Sequence, residues 1–156
     1  ELFTALADLH LDLVLTNQPP PADTLTHYVV RPLDEQSISL IAPPAFAQGA
    51  LGLKQRLSQF PVVLTTTGSA LRIGFDALTD RLGIKPQIAA EVDDMAMMRL
   101  LAREGVGLAP LPPIVVRDEL ERGELIECAQ LPSITERFYG VTVERKFPNP
   151  LLEVLI

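Results

Sequence analysis

The chain has 156 residues, of which 47% are hydrophobic and 21% charged, and 20 Asp and Glu outnumber 13 Lys and Arg for a formal charge of −7. A composition this apolar builds a packed core and excludes a disordered chain, while scattered, outnumbered basic residues exclude a surface that grips nucleic-acid phosphates. The single cysteine, Cys128, excludes an internal disulfide framework, and 5% aromatics with no tryptophan leave no stacking platform for single strands.

Leu2, Phe3, Leu6 and Leu9 mark one helical face, so the sequence begins inside what reads as a helix, as expected of a fragment whose start lies upstream. Leu11–Leu15 then reads as a short apolar strand ending at Thr16-Asn17-Gln18. Pro19-Pro20-Pro21 forbids helix and forces an extended loop. Tyr28-Val29-Val30 is predicted as a strand ended by Arg31-Pro32, and Ser37–Ala42 as another that runs into the break Pro43-Pro44. A short helical stretch spans 45–57.

Pro61–Leu64 reads as a buried strand, Thr65–Ser69 as a turn, and Leu71, Phe75, Leu78 and Leu82 as one face of a helix. Ser69 or Thr67 can cap its first turn, and Gly83 suits the left-handed position past its end. The same grammar then repeats. Gln87–Val92 is a strand, Asp93-Asp94 offers an N-cap, Met95–Arg103 is a helix stopped by Gly105, and Val106–Ala109 is a further strand. Pro112-Pro113 opens a helix that Gly123 ends, and Phe138–Glu144 forms the last strand. Asn149 and Pro150 start a terminal helix. Alternating strand and helix point to an α/β fold with a mainly parallel sheet and helices on both faces. With crossings at Pro43 and Gly140, residues 1–42 and 140–156 form a first lobe and 43–139 a second, joined by a hinge.

Catalytic and metal signatures are missing from this pattern. His10 and His27 fall in no ligand spacing, no GxSxG elbow is present, and Ser69 has no base that the sequence nominates. Asp93-Asp94 is explained by a helix cap, Met95, Met97 and Met98 by core filling, and Cys128 by its apolar-alternating surroundings. The reading is therefore a binding domain and not an enzyme. In open α/β sheets ligands sit beyond the carboxyl ends of strands, here Thr16-Asn17, Thr65–Ser69, Val92-Asp93 and Pro110-Leu111.

Several stretches, taken in order, carry a family resemblance. They are Leu11–Leu15 with its proline loop, Ser39–Pro44, Thr67–Arg72, Gly83–Pro86, Glu91–Met98, Glu104–Pro112 and Asn149-Pro150. Together they resemble the effector-binding domain of LysR-type transcriptional regulators, and the wording GSALR, EVDD and FYGVTVERKFPNP resembles the sodium/proton antiporter activator branch. The resemblance implies a two-lobed fold of the type 2 periplasmic-binding-protein kind with mixed sheets. It implies a cytoplasmic protein that forms a homodimer or tetramer and binds DNA only through an N-terminal helix-turn-helix outside this chain, without contacting a membrane. It implies no cofactor and no resident metal, with a small molecule or sodium ion as effector, held by Thr16, Asn17, Thr66, Thr67, Gly68, Ser69, Val92, Asp93 and Pro110. The alternative on the same scaffold is a solute-binding protein of a transport system.

Overall fold

A computed structural model of the chain describes residues 1–20, 27–147 and 149–155. Pro21 of the triple proline, Pro148 and Ile156 lie outside the described residues. The elements in order are α1 (Leu2–Ala7), β1 (Val14–Thr16), β2 (Tyr28–Ala42), α2 (Pro44–Ala47), α3 (Leu53–Gln59), β3 (Val62–Thr65) and α4 (Ala70–Leu82). They continue with β4 (Ile88–Val92), α5 (Met95–Arg103), β5 (Ala109–Leu111), a 3₁₀ turn (Pro113–Val116), α6 (Arg117–Arg122), β6 (Ile126–Val143) and α7 (Leu152–Leu155). Among the described residues, no helix is long and apolar enough to cross a membrane.

The chain divides into two compact units, Glu1–Glu35 with Arg137–Ile156, and Gln36–Glu136. Both changes of unit fall inside strands, β2 and β6. Arg31-Pro32 does not end the strand, because β2 runs on to Ala42. Strand β5 pairs with β2 only at Ser39–Ile41, so the missing N–H of Pro32 costs that ladder nothing.

In the first unit, β1 pairs antiparallel with β6, Leu15 opposite Gly140. Leu6, Val14 and Val141 form its buried centre, with Phe3, Leu11 and Tyr28 packed around them. The Tyr28 hydroxyl donates to the Phe3 carbonyl at 2.9 Å. Helix α1 stops earlier than its apolar spacing suggests, because Leu9 turns left-handed at φ 62 and leaves the helical face.

The second unit holds the strand and helix repeat. β3 and β4 pair in parallel, and Leu108 bridges β3 in parallel on its other side, while β5 runs antiparallel to β2. The sheets are thus mixed. The alternation of strand side chains sorts the core into layers. Leu40, Val62 and Leu64 pack with Leu71, Phe75 and Leu78 of α4, whereas Ile41 and Val63 pack with Met98 and Ala102 of α5. Helices therefore cover both faces of this unit. The predicted strand 106–109 is observed at Ala109–Leu111, and the helical stretch 45–57 is two short helices separated at Gly49, which has φ 77.

Candidate functional site

The junction from Thr65 to Arg72 is built by local rules that the sequence already displays. Ser69 is extended at φ −70 and ψ 149, and its Oγ accepts the Arg72 N–H at 3.0 Å, which makes it the N-cap of α4. Gly83 closes the far end in the left-handed region at φ 65. Between the strand and the cap, Thr66, Thr67 and Gly68 form an exposed tip, and Gly68 sits at φ 98, a conformation that side chains resist.

The stems of this loop are tied together. Thr65 Oγ1 and Ser69 Oγ lie 2.6 Å apart and share one hydrogen bond, and the Thr66 N–H donates to the Val92 carbonyl at 3.1 Å. Arg72 is buried, and its guanidinium reaches back over the strand ends. Its Nη1 donates to the Thr65 carbonyl at 3.1 Å and to Glu91 Oε1 at 2.8 Å, while its Nε donates to both oxygens of Asp76 at 3.0 Å. The hydrogen bond to Glu91 raises the Arg72 pKa, burial opposes it, and the bond and charge of Asp76 raise it again, for a net rise. The arginine is a fixed cation whose charge is matched by half-exposed carboxylates.

The residues expected to bind an effector fall into separate groups. Thr66, Thr67, Gly68 and Ser69 make the loop, and Val92 and Asp93 end the neighbouring strand β4. Asp94, next to Asp93, caps α5 by accepting the Met97 N–H at 2.7 Å, which leaves Asp93 exposed beside it. Pro110 lies buried within β5, opposite Leu40. Thr16 and Asn17 belong to the first unit, at the end of β1, where Thr16 Oγ1 closes a turn by accepting from the Gln18 N–H at 3.1 Å. His10 and His27 are exposed, and among the described residues no group of three His, Cys, Asp or Glu could hold a metal ion.

Sequence reasoning passed over Arg72 and Glu91 as site-building residues. The first carried a signal, since Arg72 and Asp76 stand at i,i+4 on a helix and Arg72 falls beside Leu71 on the face that turns inward. The second did not, because Glu91 meets Arg72 only once β3 and β4 are paired, Leu64 opposite Glu91.

A family model for the LysR substrate binding domain matches residues 1–156. The chain belongs to that family. A comparison with curated protein sequences returns no match. Among solved structures, the regulatory domain of HypT from Salmonella typhimurium is 17% identical with a TM-score of 0.70, covering 97% of this chain and 72% of that one. The regulatory domain of CrgA, a LysR-type transcriptional regulator from Neisseria meningitidis, is 19% identical with a TM-score of 0.70, covering 98% and 76%. The CcmR regulatory domain from Synechocystis, solved in complex with 2-PG, is 17% identical with a TM-score of 0.66, covering 99% and 74%. The LysR substrate-binding domain described here matches only 52% of full-length HypT. At these identities the structural likeness shows the shared α/β fold, of the periplasmic-binding-protein-like kind. The family match favours the regulatory domain of a LysR-type regulator over a solute-binding protein of a transport system.

Proposed function

We propose that this LysR domain senses a small polar effector or ion at the Thr66–Gly68 tip, and that occupancy there controls transcription through a DNA-binding domain outside this chain. The observation that carries the reading is the pairing of an exposed hydroxyl-bearing tip with rigid stems at the carboxyl ends of β3 and β4. Thr66 and Thr67 offer hydroxyls, Asp93 an exposed carboxylate, and the first-turn amides of α4 the positive end of a helix dipole. A non-enzymatic sensor in the cytoplasm, working as a dimer or tetramer, is the role we assign.

The GSALR, EVDD and FYGVTVERKFPNP stretches support placement in the antiporter activator branch, which makes sodium the first ion to try. Isothermal titration of the full-length regulator against sodium, potassium and a panel of small carboxylates tests the proposal, with a Thr66→Ala/Thr67→Ala variant beside the wild type. Saturable heat from one of these, weakened at least tenfold in the variant, is the expected result. Equal binding by both proteins removes the effector from this loop. Silence from every ligand, with DNA binding equally indifferent to all of them, overturns the sensor reading.

A further inference from the structure

We infer that Arg72 is the positioning residue of the effector loop, acting through a closed hydrogen-bonded ring; the inference rests on the proposed site at Thr66–Gly68. The ring can be walked atom by atom. Arg72 Nη1 donates to the Thr65 carbonyl at 3.1 Å, the Thr65 hydroxyl meets the Ser69 hydroxyl at 2.6 Å, and Ser69 Oγ accepts the N–H of Arg72 itself at 3.0 Å. Both ends of the tip are therefore held by one residue. Its side chain grips the strand end, and its backbone grips the cap.

A ring of this kind fixes the separation of Thr65 and Ser69, and so the span that Thr66, Thr67 and Gly68 must bridge. Glu91 extends the grip to the neighbouring strand, since it takes the same Nη1 at 2.8 Å, and the Thr66 N–H is bonded to Val92, the residue after Glu91. Asp76 holds the guanidinium from the helix side through both carboxylate oxygens at 3.0 Å. Lysine cannot replace this arginine, because an ammonium lacks the planar fork that serves a carbonyl and two carboxylates at once. The arrangement also assigns Ser69 to shaping the loop: of the two hydroxyls at the junction, one proton is consumed between them, and the Ser69 oxygen is already an acceptor.

Amide hydrogen exchange of the full-length regulator without ligand tests the ring, comparing wild type with Arg72→Lys, Ser69→Ala, their combination and Glu91→Gln. Each single change at Arg72 or Ser69 raises exchange at the Thr66 amide, which is bonded to the Val92 carbonyl, by about tenfold, and the combination raises it no further, because either change opens the same ring. Glu91→Gln, which keeps Arg72 in place, gives a smaller rise at the same amide. Exchange within β3 and α5 stays at the wild-type level. Additive effects of the two changes, or a rise spread evenly over β3, α4 and α5, overturn the ring and leave an ordinary ion pair. Because the exchange is measured without ligand, failure of the ring and failure of the effector site are told apart: the first shows in the amides, the second in the titration.

Discussion

Replacing Gly107 by alanine adds one methyl group where its backbone lies close against Pro61 and Val62. A Cβ there would stand 2.8 Å from the Pro61 carbonyl oxygen, 3.1 Å from its carbon and 3.3 Å from the Val62 carbonyl carbon. All of these are backbone atoms, so no side chain can swing away. The strands cannot simply part either, since the Leu108 N–H donates to Pro61 at 2.8 Å and the Val63 N–H donates to Leu108 at 2.8 Å. Overpacking of a core costs about 1–3 kcal/mol and each weakened hydrogen bond about 1 kcal/mol, which together give about 3 kcal/mol for Gly107→Ala. A chain of this size loses about 3 °C of Tm per kcal/mol, so the midpoint should fall by about 10 °C. Urea titration followed by far-ultraviolet circular dichroism measures the loss directly. A change below about 0.5 kcal/mol would mean that the Pro61–Leu108 contact has slack, and the close-approach reasoning would fail.

Other positions give outcomes of different sign. Glu119 is fully buried between α5 and α6, 2.6 Å from Arg99 and 3.9 Å from Arg103, with Oε2 otherwise unsatisfied among the described residues. Burial pushes its pKa up, but the hydrogen bond from Arg99, its own backbone N–H and the charges of Arg99 and Arg103 together hold it below the ordinary carboxylate value. Its stabilising contribution is therefore complete above the ordinary carboxylate range and is lost as pH falls through the lowered folded value. Glu119→Gln should cost about 2 kcal/mol at neutral pH, and its urea midpoint should converge with that of the wild type in acid. Leu9 is 57% exposed at φ 62, so Leu9→Gly removes a left-handed penalty of about 1–2 kcal/mol and adds back about 0.5–1 kcal/mol of glycine entropy. A higher thermal midpoint is expected, and a lower one would show that Leu9 packs more than its exposure indicates.

The legible parts of this fold are those whose partners lie within a turn. Ser69 caps α4 and Gly83 ends it, Asp94 caps α5 and Gly105 follows that helix at φ 73, because caps and left-handed stops are satisfied by atoms a few residues away. The unbroken apolar run Pro61–Leu64 likewise announced a buried strand, observed as β3. The lengths of β2 and β6 were not legible, since Arg31-Pro32 reads as a stop wherever the neighbouring ladder is unknown. Leu9 looked like the last residue of a helical face and became a left-handed turn, because Leu9 and His10 bond back to Leu6 and Ala5.

The candidate site divides in the same way. By itself the sequence determined that a hydroxyl-rich turn with a glycine stands between a buried strand and a capped helix. Only the tertiary structure decided what holds that turn. Glu91 is 19 residues from Arg72 along the chain, and the two meet because parallel pairing sets Glu91 beside Leu64 at the end of β3. Strand register is a sum of many side-chain and backbone contacts over the whole sheet, so no local pattern names the cross-strand partner of a buried arginine.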